Sequence, residues 1–341
     1  MISIDGCKIL MIGGAGFIGH NLALKLKRLG AYVEIVDSLQ VNNFGAFSSN
    51  TDNLQNQDLY LDIINQRLNL LREARIPILV QDARDYIAVS RIINKMKPNV
   101  VLHLAAIAHA NKSNKDPYST FGHNLRTLEN ALDASRGVVD HFIYFSSSMV
   151  YVHFASGFVT EETPCKPIGI YGALKYSGEL ILIAYNQVFD LPYTIVRPSA
   201  LYGERCVSRR VGQIFIENAI KGLEVAVNGD GSDRLDFTYI SDLINGIIKV
   251  IENENSKNQT FNLTYGESRS IAELASILQG HFPDTKVIYL PKDKLMPDRG
   301  TLSVQKAKEM LGYTPEYPLE KGFVDYIEWY KSMHENNKNF R

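Results

Sequence analysis

Short apolar runs and longer stretches with an apolar residue at every third or fourth position take turns along the chain as far as Pro198. The runs Ile9–Ile12, Ala31–Asp37, Pro77–Gln81, Asn99–Ala105, His141–Ser146 and Tyr193–Arg197 predict strands, and NVVLHLA at 99–105 is of the near-continuous kind buried on both faces of a parallel sheet. The periodic stretches, one running to Leu29 and others at Leu59–Ala74, Tyr86–Met96, Tyr118–Ser135 and Tyr171–Phe189, predict helices. Strand and helix in alternation imply an α/β fold with a Rossmann-type, doubly wound parallel sheet and right-handed crossovers.

Beyond Pro198 the rhythm loosens. Helical patterns at Val211–Lys221, Ser241–Asn253, Ser270–Leu278, Val304–Leu311 and Leu319–His334 are interspersed with short strands at Glu224–Val227, Gln259–Leu263 and Lys286–Tyr289. The expectation is a nucleotide-binding domain over 1–198 and a smaller α/β substrate-binding lobe over 199–341. With no Pro/Gly-rich linker between them, the two should pack together around a cleft. Ser38–Arg75 interrupts the alternation, polar at first and then helical. A connection of that length is usually functional or mobile, and it has four roles open to it: covering a cofactor, touching substrate, packing on a neighbouring subunit, or standing as a surface insertion.

The first chemical signal is the turn between the first strand and helix, KILMIGGAGFIGHNLALKLKRL at 8–29. Gly13 turns the chain off the strand, Gly16 clears the backbone for a pyrophosphate, and Gly19 lets the helix pack close to the sheet. The amides that follow, at Phe17 and Ile18, then face the phosphates together with the positive end of the helix dipole. Asp37 lies eighteen residues after Gly19, at the end of the second strand. A dinucleotide fold places there the carboxylate that binds the adenosine ribose, and a like charge facing a 2'-phosphate favours NAD over NADP.

The formal net charge of −1, with basic residues scattered, gives no footprint for nucleic acid. No apolar stretch approaches the ~20 residues of a membrane span, and the sequence runs straight into its first strand without a signal peptide. Cys7, Cys165 and Cys206 are odd in number and lack metal-ligand spacing, so free thiols, no metal site and a cytoplasmic location are expected. A small-molecule partner fits these features.

Tyr171 and Lys175, four apart on a predicted helix, share one face. A tyrosine ionises near pH 10 and needs an adjacent cation to serve as a base at neutral pH, which Lys175 and a positively charged nicotinamide would supply.

Gly13/Gly16/Gly19, Asp37, Asp82-Ala83, His103-Leu104-Ala105-Ala106, Asn124, the serines before Val150-Tyr151, Tyr171/Lys175, Arg197-Pro198 and Gly229-Asp230-Gly231 occur in the order seen in extended short-chain dehydrogenases/reductases. The chain resembles their NAD-dependent epimerase/dehydratase group, which acts on nucleotide sugars. The resemblance implies that Tyr171 takes a proton from a sugar hydroxyl, usually at C4, while hydride passes to NAD, and that Lys175 binds the nicotinamide ribose. It implies that Ser147, flanked by Ser146 and Ser148, polarises the sugar oxygen, that Asp82 with Ala83 meets adenine, and that Leu104, Ala105 and Ala106 line the cofactor groove. Ser148, Met149 and Arg299 join Ser147 on the substrate side, Arg299 at the diphosphate. The resemblance also implies a homodimer through Tyr118–Ser135 and Tyr171–Phe189.

Departures from the pattern narrow the chemistry. The 4,6-dehydratases carry Asp-Glu where this chain has Ser148-Met149, which argues against elimination of water. Ala200 replaces the usual Asn after Arg-Pro, and Leu235 replaces the Arg before Asp-Phe, with Arg234 one place earlier. His103 is expected to be a hydrogen-bonded core histidine, and His109 to border the substrate pocket.

The leading expectation is NAD-dependent oxidation at C4 of a nucleotide sugar by a dehydrogenase that releases the 4-keto product. The chain as a whole is similar to dehydrogenases acting on GDP-heptose in capsular polysaccharide synthesis. The alternative is a 4-epimerase that reduces the keto sugar again on its other face. A non-catalytic NAD(H)-binding regulator is a remote third.

Overall fold

The computed structural model describes residues 3–48, 56–151, 154, 157–291 and 298–336. Its frame is a seven-stranded parallel sheet. β1 (Lys8–Ile12), β2 (Tyr32–Asp37), β3 (Ile78–Val80), β4 (Val100–His103) and β5 (His141–Phe145) enter it in turn; the two-residue β6 (Phe158–Val159) stands outside, and β7 (Tyr193–Arg197) rejoins it. Across the sheet the order is Gln259–Asn262, β7, β5, β4, β1, β2, β3. The chain therefore builds outward from β1 in one direction and then from β4 in the other, leaving a crevice at the carboxyl ends of those two strands, where open α/β sheets bind ligands. Every residue of β4, β5 and β7 is buried, as the apolar runs predict.

Helix α1 (Phe17–Arg28) buries Leu22, Ala23 and Leu26 and ends in Lys25, Lys27 and Arg28, charges that suit the negative end of its dipole. Two elements depart from the sequence pattern. The stretch 117–135 is helical at Pro117–Phe121 and Thr127–Ser135 but passes through a π-helical turn at Gly122–Arg126. Before it, Ala110–Lys115 forms a short helix that the apolar pattern does not announce, because its residues are mostly polar.

Gln259–Asn262, expected in the smaller lobe, is an edge strand of the main sheet, in parallel register with β7 from Gln259 opposite Thr194 to Asn262 opposite Arg197. Helix Ile240–Glu252 likewise returns to lie against α1. The chain beyond Pro198 thus supplies pieces of both bodies. Neighbouring strands are legible from sequence order only when connections are short, and some sixty residues separate these two.

The interruption at 38–75 forms α2 (Phe44–Phe47) and α3 (Gln57–Glu73), with 49–55 outside the described residues. α3 buries Leu59, Tyr60, Ile63, Ile64, Arg67 and Leu71. Tyr60 Oη donates to Glu217 Oε2 at 2.7 Å, and Arg67 Nε donates to the Arg205 carbonyl at 2.8 Å. The insertion therefore straps the nucleotide-binding body to the C-terminal body of the same chain. That body is built from helices Val211–Ile220, Ile271–His281 and Leu319–Asn336 and the parallel pair Val225–Asn228 and Val287–Leu290, with Tyr202, Tyr326 and Tyr330 in its core. No helix among the described residues is long and apolar enough to cross a membrane.

Candidate active site

A cavity of about 640 Å³ runs from the β1 turn, along the carboxyl ends of β2, β4 and β5, to the C-terminal body. At one end Gly13 has φ +80°, and a Cβ there would sit 2.5 Å from the Ala105 nitrogen, so both conformation and space require glycine. A Cβ on Gly19 would collide with the Gly14 backbone, which is why α1 rests directly on the turn. Gly16 is the N-cap of α1 with no side chain capping it and no acid in the first turn, so the amides of the first turn are left for an anion.

Asp37 stands at the lip of this turn. Its Oδ2 accepts from the Ala15 amide at 2.9 Å and its Oδ1 from the Leu39 amide at 2.8 Å. Burial pushes its carboxyl up, and those two amides oppose the shift. The bare glycine turn, the open amides and the fixed carboxylate fit a dinucleotide with free ribose hydroxyls. Asp82, Ala83, Leu104, Ala105 and Ala106 all line the same cavity. The Asp82 carboxylate is gripped by Arg84 at 2.5 Å, which holds it below the usual carboxylate range. Buried Asn124, on the π-helical turn, accepts from the Ile107 amide at 2.8 Å and so pins the segment that follows β4.

At the other end, helix Gly169–Phe189 buries Tyr171, Lys175 and Glu179 at successive i+4 positions. Ser147 hydrogen-bonds the Tyr171 phenol, and its Oγ also accepts from the Met149 amide at 3.2 Å. Its neighbours turn elsewhere: Ser146 donates to Glu179, and Ser148 to Ser199 Oγ at 3.2 Å. Of the three serines, Ser147 is the one that meets Tyr171. Burial raises the tyrosine above its ordinary value, while Ser147, Arg210 and Arg299 pull it down.

Lys175 Nζ donates to the Phe145 carbonyl at 2.6 Å and lies 5.0 Å from the centre of the Tyr144 ring. Burial lowers it to about 7 against the opposing charge of Glu179. In this geometry the cations acting on the phenol are the two arginines, with Lys175 turned to the backbone.

Glu179 belongs to a buried network that the sequence reading missed, although a third residue at i+4 spacing was the available signal. Arg197 Nη2 meets Glu179 Oε2 at 2.6 Å with both side chains at most 6% exposed, and Arg197 Nη1 donates to Tyr151 Oη at 2.8 Å. Tyr151 passes the chain on to Asn262 at 2.9 Å, on the edge strand. Helix Gly169–Phe189, β5, β7 and the edge strand are thereby locked together.

Arg299 borders the cavity and contacts the Met149 sulfur. Arg210, which the sequence reading did not single out, also lines it. His109 lies at the same end, kept neutral at about 4 by burial and by Arg210 and Lys112. His103 is a core residue packed on the rings of Phe142 and Tyr144; its ring nitrogens have no hydrogen-bond partner among the described residues, and burial, with the Lys175 charge adding to it, holds it neutral at about 3. Among the described residues no group of three or more His, Cys, Asp or Glu is arranged to hold a metal ion.

Similar proteins carry the same architecture. An uncharacterised UDP-glucose epimerase of Bacillus subtilis (strain 168), YtcB, is 28% identical over 96% of this chain and 99% of its own length. The UDP-glucuronic acid 4-epimerase of Bacillus cereus, solved with UDP-glucuronic acid and NAD, superposes with a TM-score of 0.85 at 26% identity, covering 96% of this chain and 99% of that one. The UDP-glucose 4-epimerase of Thermotoga maritima, solved with UDP-glucose, does so with a TM-score of 0.82 at 27% identity, covering 96% and 100%. Residues 9–264 match the NAD dependent epimerase/dehydratase family, and the protein therefore belongs to that family and is an NAD-dependent enzyme.

Proposed function

We propose that this protein is a nucleotide-sugar 4-epimerase. The observation that carries the reading is the Ser147–Tyr171 contact, backed by buried Lys175, with Ser148 and Met149 where elimination would need an acid and a base. Ser147 would hold the C4 hydroxyl and Tyr171 Oη would take its proton, with Lys175 anchoring the nicotinamide ribose. Bound NAD supplies the hydride acceptor at C4 and the donor for the return step. Met149 and Ser148 would border the sugar. Among relatives that span nearly the whole chain, those described as UDP-sugar epimerases favour re-reduction over release.

Release of a 4-keto sugar, including a GDP-linked heptose, uses the same proton and hydride acceptors and is the second reading, supported by the resemblance in sequence. Product analysis after incubation with NAD and UDP-, GDP-, dTDP- and CDP-sugars separates the two. Unchanged mass with inverted C4 supports the epimerase, loss of two hydrogens makes the protein a dehydrogenase, and loss of water overturns the argument from Ser148 and Met149.

We also propose a homodimer through the helices of 117–135 and Gly169–Phe189. They expose Tyr118, Phe121, Leu180, Val188 and Phe189, an apolar surface that a second copy would cover. A monomer in solution scattering at micromolar concentration would contradict it. Cys7, Cys165 and Cys206 are free, which supports a reducing, cytoplasmic setting.

A further inference from the structure

The order of the sheet constrains any contact that spans it. β1 lies between β4 and β2, and β3 lies beyond β2. A side chain on the loop that follows β2 can meet the helix that follows β4 only by passing over the carboxyl end of β1, where the glycine turn stands. Asn42 makes that crossing. Its Oδ1 accepts from Lys112 Nζ at 3.4 Å, and Lys112 lies on helix Ala110–Lys115, which follows β4.

The rest of the loop is tied down around that crossing. On the outer side, Gln40 Oε1 accepts at 3.4 Å from Nη2 of Arg84, on the turn that follows β3. In the middle, buried Asn43 donates from Nδ2 to the Ala15 carbonyl of the glycine turn at 3.1 Å. From the insertion helix, Arg67 Nη1 reaches the Asn42 carbonyl at 3.5 Å. The course of the loop depends on two left-handed residues, Leu39 at φ +57° and Asn42 at φ +48°. Asparagine takes that conformation readily and leucine does not. Leu39 is held in it on both sides: its amide donates to Asp37 Oδ1 at 2.8 Å, and its carbonyl accepts from the Gly45 amide at 2.7 Å. Ser38, Val41 and Asn42 line the cavity, so the loop forms part of its wall.

We propose that residues 38–43 are a strap across the cofactor groove, closed by the Asn42–Lys112 and Gln40–Arg84 contacts, which NAD must pass to enter or leave. Of the roles open to the insertion, its first part thereby takes the covering of the cofactor. The strap rests on the NAD dependence of the protein and goes beyond its C4 chemistry. Its two latches differ from its anchor. Asn43 is buried against the glycine turn, whereas Gln40 and Lys112 are exposed and their hydrogen bonds are long, so water can replace them at little cost. The latches can open while the anchor stays. A closed strap keeps the reduced cofactor in place between two hydride transfers, the interval in which loss of NADH would strand a 4-keto sugar.

The test is stopped-flow fluorescence of NADH association, and of NADH displacement by excess NAD, in wild type, K112A, K112R, Q40A, N42G and the K112A/N42G double variant. A strap that gates passage slows entry and exit alike. K112A, Q40A and N42G are each expected to speed both association and release by about twofold to tenfold, with the ratio of the two rates and the thermal midpoint close to wild type. K112R keeps a donor and should restore wild-type rates. The double variant should be no faster than the faster single, because both substitutions remove the same contact. A direct hold of Lys112 on a cofactor phosphate predicts a different pattern, with slower association and faster release in K112A and wild-type rates in N42G. That pattern, or unchanged rates in both K112A and N42G, would overturn the strap while leaving NAD dependence standing.

Discussion

The two ends of the cleft hold charge in different ways. At the glycine turn the ligand meets backbone: open amides at the start of α1 and a carboxylate fixed by the Ala15 and Leu39 amides. At the Tyr171 end it meets side chains whose charge depends on their surroundings, a phenol pushed up by burial, a lysine lowered to about 7, and two arginines, Arg210 and Arg299, that are in no ion pair among the described residues. Backbone amides do not titrate. The first end is preorganised by backbone groups whose charge does not change with pH, with one carboxylate beside them that burial pushes up, and the second is tuned, so that small changes around it alter reactivity before they alter binding.

That contrast makes Tyr171 the place where the two ends separate most. Replacing Tyr171 by Phe removes the proton acceptor and should lower turnover by about 10²–10⁴-fold, with NAD affinity unchanged by calorimetry. Loss of NAD binding in that variant would erase the distinction. Glu179→Leu probes the support beneath the tuned end: it strands Arg197 in the interior and should cost about 3–5 kcal/mol in denaturant unfolding. It should also lower Lys175 further, since Glu179 is the charge that opposes its desolvation.

Gly13→Ala attacks the preorganised end. Its left-handed backbone alone costs a non-glycine residue about 1–2 kcal/mol, and the close Ala105 backbone adds to that. NAD affinity should fall, with the pH dependence of turnover unmoved.

The smallest expected effect is a displacement along the pH axis. Ser147→Ala removes a hydrogen bond that favours the ionised phenol, and Arg299→Gln removes a cation that does the same. Each change raises the Tyr171 pKa, leaves less phenolate at a given pH, and moves the rising limb of kcat/KM to higher pH. A limb that stays in place in both variants would show that the phenol is not the titrating base.

Legibility from sequence followed the range of the contacts. The glycine turn, Asp37 and the Tyr171/Lys175 pair are local spacings, and each stands where its spacing put it, at the cleft. Arg210 gave no such signal, because its place at the cavity depends on reaching the Ala108 carbonyl, a contact that joins distant parts of the chain. The π-helical turn at Asn124 was hidden in an unbroken helical pattern, since such a turn leaves the apolar rhythm nearly intact. The edge strand Gln259–Asn262 was legible as a strand but not as a neighbour of β7. The insertion at 38–75 left its roles open until α3 met Glu217 and Arg205.

The central claim is that hydride leaves C4 of a nucleotide sugar beside Tyr171 and returns to the same carbon. The most direct measurement follows deuterium placed at C4 of each candidate nucleotide sugar during incubation with the NAD-loaded protein. The account predicts product with inverted C4 that still carries the label there, formed by wild type and not by Tyr171→Phe. Label lost from the sugar as a 4-keto product accumulates would contradict it, as would turnover that proceeds without Tyr171.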